Sequence, residues 1–166
     1  MQNKLVIMGV AGCGKSSLAA EWAKAHPWAL IEGDEFHPPE NVQKMRDGQA
    51  LTDQDRSGWL DALAVQMGRQ TGPFVMTCSA LKKAYRDRLR QAQPDLRFVH
   101  LQLTPEQAKS RVSSRSSHYF NPELVASQFK ALESPADEPL VITLDATRSF
   151  KDLINAMEQW LEMENT

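Results

Sequence analysis

The run G-V-A-G-C-G-K-S at residues 9–16 constrains this chain more than any other feature. It matches the pattern G-x-x-x-x-G-K-[ST] of phosphate-binding loops. An apolar run at residues 5–8 precedes it and predicts a buried strand, and residues 16–25 after it predict a helix. Because a phosphate-binding loop needs this strand–loop–helix context, an accidental match in a Gly-rich turn is disfavoured.

The residue types of the loop explain its chemistry. Glycines let the backbone turn sharply and approach an anion, and the loop N–H groups then bind phosphates together with the start of the next helix. Lys15 is expected to reach the β- and γ-phosphates of a nucleotide, and the Ser16 hydroxyl to bind Mg²⁺. The predicted nucleotide-contacting residues are Gly9, Val10, Ala11, Gly12, Cys13, Gly14, Lys15, Ser16 and Ser17.

Length, charge and cysteine content set broad limits. The chain has 166 residues, which predicts one domain over 1–166, and its net charge of −2 argues against a nucleic-acid surface. Cys13 and Cys78 lie far apart without metal-binding spacing, so we expect free thiols in a reducing cytoplasm. The N-terminal apolar stretch is too short for a membrane span and lacks a signal-peptide pattern. We therefore expect a cytoplasmic protein without a membrane partner.

Strand and helix signals alternate along the whole chain, which predicts an α/β fold with a mainly parallel sheet. The strands are continuous apolar runs, as expected for strands covered on both faces. After the first strand they are predicted at residues 28–31, 74–78, 98–103 and 140–144. A capping box predicts a helix start at Thr52, a Thr-Pro-Glu sequence predicts another at Thr104, and an amphipathic run predicts a closing helix over 149–163.

Polar residues after the predicted strands are the first candidates for a site, because ligands of such sheets bind at the carboxyl ends of the strands. Glu32, Asp34 and His37 follow the second strand, and Asp34 could accept or orient a hydroxyl hydrogen for phosphoryl transfer. A helix cap or a solvated loop acid is the alternative. After the third strand, Lys82 and Arg86 have i, i+4 spacing suited to an anionic ligand, unless they belong to a solvated helix face.

A Ser-rich segment later in the chain predicts a lid over approximately residues 111–122. Arg111 and Arg115 stand there at i, i+4 spacing, and arginines on closing lids stabilise transferring phosphates. An exposed, frayed helix end is the alternative.

Two further patterns bear on the function class. Asp55-Arg56-Ser57-Gly58 matches the D-x-x-G of GTPases, but it falls in a predicted helix start, and no N-K-x-D sequence occurs. The run L-V-I-T-L-D ending at Asp145 resembles a Walker B strand, which would favour an ATPase, although a sheet-edge strand fits equally well.

Six sequence blocks spread over nearly the whole chain carry a family resemblance. They are M-G-V-A-G-C-G-K-S (8–16), E-G-D-E-F-H-P (32–38), N-V-Q-K-M (41–45), L-T-D-Q-D-R-S-G-W-L (51–60), C-S-A-L-K-K-A-Y-R-D-R-L-R (78–90) and R-S-S-H-Y-F (115–120). Together they resemble the gluconokinase family, small P-loop kinases that phosphorylate D-gluconate on its 6-hydroxyl. The chain has Glu32-Gly33-Asp34 where the family usually has D-G-D, and Ser117-His118-Tyr119 where it usually has G-H-F.

The resemblance implies a nucleoside-monophosphate-kinase-like, three-layer fold with a five-stranded parallel sheet, flanking helices and a lid. It also implies ATP and Mg²⁺ as cofactors, D-gluconate as substrate, 6-phospho-D-gluconate as product, and a homodimer. By similarity Lys15, Asp34 and Arg115 are catalytic, and Ser16 holds the metal. The substrate-binding residues implied are Asp34, His37, Lys44, Arg56, Ser79, Lys82, Arg86 and His118.

Two other function classes stay open from the residues alone. A shikimate-type or nucleotide kinase would use the same loop and fold with a different acceptor. A nucleotide switch or ATPase would bind or hydrolyse nucleotide without regard to sugar acids, although the missing N-K-x-D disfavours a GTPase. A protein that serves only as an interaction module fits the sequence least well, because such a protein does not need an intact phosphate-binding loop.

Overall fold

A computed structural model describes residues 3–114 and 121–166, and within them the chain alternates strands and helices. The strands are β1 (Lys4–Met8), β2 (Ala29–Glu32), β3 (Phe74–Thr77), β4 (Arg97–Gln102) and β5 (Val141–Asp145). The α-helices are α1 (Lys15–Ala25), α2 (Pro39–Arg46), α3 (Asp53–Gly68), α4 (Lys83–Ala92), α5 (Pro105–Ser113), α6 (Val125–Ala131) and α7 (Phe150–Glu164). Short 3-10 helices span Gly33–Phe36 and Pro122–Leu124.

The five strands of the described ranges form one parallel sheet in the order β2-β3-β1-β4-β5. The predicted five-stranded parallel sheet with flanking helices is therefore confirmed, and each predicted strand boundary agrees within one residue. β5 lies at the edge of the sheet. An edge strand was one of the two alternatives for the run ending at Asp145, the other being a Walker B strand. The strand order changes direction at β1, so the loop after β1 lies where α/β proteins bind their ligands.

Two hydrophobic clusters sandwich the sheet, because successive residues of β1 point to opposite faces. Leu5 and Ile7 pack in one cluster with residues of α1, α5 and α7, whereas Val6 and Met8 pack in the other with residues of α3 and α4. This alternation gives three layers and explains why the strands read as continuous apolar runs. No helix among the described residues is long and apolar enough to cross a membrane.

The predicted helix starts are confirmed. Thr52 and Asp55 form a reciprocal capping box at α3, and Thr104 forms one with Gln107 at α5. Ser149 caps α7 by accepting a hydrogen bond from the Asp152 backbone. The D-x-x-G sequence lies within α3, so it is not a GTPase loop. Of the predicted lid (111–122), residues 115–120 lie outside the described residues.

Candidate active site

The loop between β1 and α1 has the form that the motif predicts. At Gly12 the backbone φ is +83°, and a Cβ there would lie 2.9 Å from the Ala108 carbonyl oxygen, so a side chain would collide with α5. Lys15 begins α1 and donates from Nζ to the carbonyl oxygens of Gly9 (3.0 Å) and Val10 (3.2 Å). The ammonium group therefore lies against the loop beside a helix N-terminus, where anions bind.

The loop presents mainly backbone groups to a ligand. The side chains of Val10 and Cys13 are buried in the core, so these two predicted contact residues offer only their main chain. Ser16 and Ser17 are exposed in the first turn of α1. Backbone N–H groups next to a lysine are the donor set that phosphates require, and the loop therefore fits a nucleotide phosphate chain.

Two carboxylates lie at the carboxyl end of β2 close to the loop. Ser16 Oγ donates a hydrogen bond of 2.8 Å to Oε2 of Glu32, the last residue of β2, and Asp34 lies two residues further on in the 3-10 helix. Gly33 lets these residues approach β3, because a Cβ at this position would lie 2.0 Å from the Thr77 carbonyl oxygen. Gly33 N–H also donates to Thr77 Oγ1 at 3.1 Å. A hydroxyl and a carboxylate therefore stand together at the site predicted for Mg²⁺.

His37 is held beside Asp34 as a neutral ring. Its imidazole stacks on the indole of Trp59 with centroids 4.1 Å apart, and its Nε2 lies 4.0 Å from Asp34 Oδ1. Burial lowers the pKa of His37 to about 4, against an opposing effect of Asp34 and with a smaller lowering by Arg56. At neutral pH the ring therefore carries no charge and acts through hydrogen bonds.

Arg56 supplies a buried positive charge to the site. Its residue is 8% exposed, and its Nη1 donates to the carbonyl oxygen of Leu51 (2.7 Å) and to Tyr85 Oη (3.3 Å). Tyr85 in turn donates to Asp53, and burial followed by this bond raises the pKa of Tyr85. Both hydrogen bonds that Arg56 makes to described residues are to uncharged oxygens. An anionic ligand would supply the missing charge partner.

One cavity brings most of the predicted site residues together. It is lined by loop residues, by the apolar side chains of Met45, Leu51 and Trp59, by the predicted metal ligand Ser16, and by five predicted catalytic or substrate-binding side chains: Lys15, Asp34, His37, Arg56 and Ser79. The cavity therefore joins a phosphate cradle at one end to hydrogen-bonding and cationic groups at the other.

Two predicted substrate-binding lysines lie outside that lining. Lys44 pairs with Asp55 at 2.8 Å, and Lys82 pairs with Asp53 at 2.9 Å. Lys82 is also the extended residue before α4, so it shares no helix face with Arg86. The predicted substrate contacts of both lysines stay predictions. So do the catalytic role of Arg115 and the substrate contact of His118, two residues that lie outside the described ranges.

The structure contradicts the predicted substrate contact of Arg86. Its side chain is fully buried and forms a bidentate ion pair with Glu138, with Nη2 to Oε2 at 2.6 Å. It also donates to the carbonyl oxygens of Ala80, Leu81 and Glu133. Arg86 therefore joins the turn after β3 to the loop before β5, and its donors are used within the protein.

Gln128, for which the sequence analysis made no prediction, reaches the phosphate loop from α6. The Ala11 N–H donates to Gln128 Oε1 at 2.7 Å, and Gln128 lines the same cavity as Lys15. Because Gln128 Oε1 accepts from the loop, the amide nitrogen of Gln128 can donate to a different partner. No motif marks a single glutamine in a short helix, so only the tertiary structure identifies it.

A second depression lies on the other side of the loop. It is lined by Ser17, by Arg111 and Arg148, and by Phe150, an exposed apolar residue. Arg111 donates to the carbonyl oxygens of Gly12 and Cys13 at 3.3 Å. A flat apolar ring and two guanidinium groups next to a phosphate loop suit a nucleobase and its sugar.

This fold and site define a P-loop nucleotide-binding protein built like a small-molecule kinase. A family described as an AAA domain matches residues 5–139. The thermoresistant gluconokinase of Escherichia coli K12 is 39% identical over 153 residues, which cover 90% of this chain and 87% of that protein. The gluconokinase of Gluconobacter oxydans 621H is 40% identical over 148 residues, covering 87% and 83%. The chain belongs to the gluconokinase family.

Solved structures agree with this assignment. The crystal structure of a gluconokinase from Sinorhizobium meliloti 1021 aligns with a TM-score of 0.85 and 34% identity over 99% of this chain and 98% of that one. A deoxyadenosine kinase from M. mycoides with bound dATP aligns with a TM-score of 0.70 over 96% and 99%, at 17% identity, which shows the shared kinase fold alone.

Proposed function

We propose that this protein transfers the γ-phosphoryl group of ATP to the 6-hydroxyl of D-gluconate, forming 6-phospho-D-gluconate and ADP. The observation that carries the proposal is the single cavity in which Lys15 of the phosphate loop faces Asp34, His37 and Arg56. Such a cavity suits a ligand that is rich in hydroxyl groups and bears a negative charge. The family membership supports gluconate as that ligand.

The transfer follows from positioning and charge stabilisation. The substrate O6 forms a bond to the γ-phosphorus as the bond from that phosphorus to the β-phosphate oxygen breaks. Asp34 orients the hydroxyl and accepts its proton, and Lys15 stabilises the charge on the phosphoryl oxygens. Arg115, at the predicted lid, would add a second positive charge.

Mg²⁺ fits the oxygen pair formed by Ser16 and Glu32, whose atoms lie 2.8 Å apart. Kinase sites hold this ion through one or two protein oxygens together with substrate phosphates, so a larger protein cage is not needed. When bound, the ion would neutralise charge on the β- and γ-phosphates. Ser16 and Glu32 would hold it beside the loop.

Arg56 is the best placed residue for the gluconate carboxylate, because its guanidinium is buried in the cavity and has only uncharged partners among the described residues. A planar fork of donors can bind both carboxylate oxygens. The depression beside Arg111 and Phe150 would hold the adenine nucleoside.

We extend the proposal to the organisation of the protein. The chain would form a single domain. A lid over approximately residues 111–122 would close over the cavity, as lids do in phosphoryl transfer. A cytoplasmic location is supported by Cys13 and Cys78, which are both free and buried. The proposal that the protein forms a homodimer rests on the family resemblance alone.

The test is ADP formation from ATP and Mg²⁺ with D-gluconate, shikimate or nucleoside monophosphates as acceptors. We expect formation that depends on gluconate, that is nearly abolished in Lys15→Ala, and that is lost in Asp34→Ala with the fold intact by circular dichroism. ADP formation that ignores every acceptor would favour an ATPase. Formation with another acceptor alone would favour a different small-molecule kinase.

A further inference from the structure

The hydrogen-bonding surroundings of His37 determine what its ring can do in the cavity. The side chain is 5% exposed, one face lies on Trp59, and Nε2 points towards Asp34 at 4.0 Å. A neutral imidazole has one donor nitrogen and one acceptor nitrogen, and which is which depends on its other partner. That partner is Asn41, a 2% exposed residue of α2 to which the sequence assigned no role.

The orientation of the Asn41 amide is fixed by the backbone of α3. Its amide nitrogen lies 2.9 Å from the Asp55 carbonyl oxygen, which can only accept a hydrogen bond. The same nitrogen lies 3.3 Å from His37 Nδ1. Since this nitrogen is a donor, Nδ1 must be the unprotonated acceptor, and the ring hydrogen sits on Nε2. Rotating the amide would place two acceptor oxygens against each other.

The gap between the histidine and the aspartate matches one hydroxyl group. At 4.0 Å, Nε2 and Asp34 Oδ1 are too far apart for a direct hydrogen bond. A hydroxyl oxygen about 2.9 Å from Nε2 and about 2.7 Å from Oδ1 would bridge them, with the two hydrogen bonds meeting at about 90°. In that arrangement the hydroxyl accepts from His37 and donates to Asp34.

We propose that Asn41 is a positioning residue that holds His37 as the Nε2–H tautomer, so that His37 and Asp34 clamp one substrate hydroxyl with fixed polarity. The hydroxyl hydrogen then points at Asp34, the direction needed for its transfer to the carboxylate. A neutral ring also adds no positive charge beside Asp34, which favours that transfer. The identity of the hydroxyl compound rests on the proposed function, but the tautomer does not.

The tautomer is measured directly by long-range proton–nitrogen NMR on the ligand-free, nitrogen-15-labelled protein at pH 7. The chain has four histidines, and the His37 signals are identified by their loss in His37→Gln. We expect an unprotonated Nδ1 and a protonated Nε2. The reverse tautomer, or a charged ring at this pH, would overturn the proposal. Because neither nucleotide nor gluconate is present, this result is independent of the proposed activity.

Two variants then test the role of Asn41. Asn41→Asp replaces the donor with an acceptor, so Nδ1 should become protonated. Asn155→Asp makes the same charge change at an exposed position of α7 and should leave the His37 spectrum unchanged. If Asn41→Asp does not fold, Asn41→Leu removes the donor at similar volume and should give a mixture of tautomers. A folded Asn41 variant with the wild-type His37 spectrum would refute the assignment.

Kinetics test the clamp itself. In Asn41→Leu we expect the KM for D-gluconate to rise about ten-fold, the effect of one lost hydrogen bond, while the KM for ATP stays unchanged. Unchanged KM values for both substrates, or equal rises for both, would overturn the clamp. If the wild-type protein ignores gluconate altogether, the proposed function fails while the NMR result stands.

Discussion

Replacing Arg86 by Met tests whether this arginine stabilises the fold or binds substrate. The change removes a fully buried guanidinium and leaves the Glu138 carboxylate, 9% exposed, with Arg90 at 2.9 Å as its remaining ion-pair partner. Burial acts to raise the pKa of Glu138, but its bonds to the two arginines lower it overall, so the carboxylate is charged and depends on them. The carbonyl oxygens of Ala80, Leu81 and Glu133 also lose a hydrogen bond, although that of Leu81 keeps the one from the Glu133 N–H.

Breaking a buried ion pair from one side costs about 3–5 kcal/mol, a large part of the 5–15 kcal/mol of stability typical of a domain. We therefore expect the unfolding free energy of Arg86→Met, measured in urea by tryptophan fluorescence, to fall by about that amount. The matched control is Arg88→Met on the same helix, because Arg88 forms an exposed pair with Asp61 at 2.8 Å, worth about 0–1 kcal/mol.

Kinetics of the folded variant complete this test. Because no donor of Arg86 is left for a ligand, the KM for D-gluconate in native buffer should stay close to that of the wild type. A stable Arg86→Met protein with a strongly raised KM for gluconate would refute this reasoning and restore the original prediction of a substrate contact.

Three other changes follow from the structure. Gly33→Ala should lower the unfolding free energy by about 3 kcal/mol and reduce activity, because its Cβ would lie 2.0 Å from the Thr77 carbonyl oxygen. Burial lowers the pKa of both His37 and His100 to about 4, whereas a histidine in the unfolded chain has a pKa near 6.5. Between these two pH values the unfolded state binds more protons than the folded state. Urea titrations should therefore show the unfolding free energy decreasing by up to about 3 kcal/mol per histidine as the pH falls from 6.5 to 4. Gln128→Glu keeps the acceptor for the loop but adds negative charge beside the phosphates, so the KM for ATP should rise at least ten-fold.

Each of these three changes has a control. Gly58→Ala lies in α3 with no atom within 4 Å of the added Cβ and should be neutral or slightly stabilising. His100→Leu should remove the contribution of one histidine to the pH dependence, and a slope identical to that of the wild type would contradict the assignment. Gln128→Met removes the amide without adding charge; if it raised the KM as much as Gln128→Glu, charge repulsion would not be the cause.

The sheet could be predicted from local sequence because its signals are local. Strands covered on both faces are continuous apolar runs, and the helix starts at Thr52 and Thr104 carry their own capping residues. The phosphate loop is likewise a contiguous motif, and Asp34 and His37 approach each other because they are three residues apart. These features depend on neighbours in the chain, so the sequence alone identified them.

The rest of the site depends on contacts between distant residues, which spacing does not show. The spacing of Arg86 to Lys82 predicts a substrate contact, but the partner of Arg86 is Glu138, which lies 52 residues further on. Gln128 meets Ala11 across 117 residues, and Asn41 meets the backbone of Asp55 across 14. In each case the tertiary packing of a helix decides where the polar group points.

The central claim is tested most directly by NMR of the reaction mixture with ATP, Mg²⁺ and D-gluconate. The account predicts a new phosphomonoester phosphorus signal coupled to the two hydrogens on C6 of gluconate, formed in equal amount with ADP and absent with Lys15→Ala. Coupling to a single C–H hydrogen would place the phosphate on a different hydroxyl. Inorganic phosphate as the only new phosphorus product besides ADP would contradict phosphoryl transfer to gluconate.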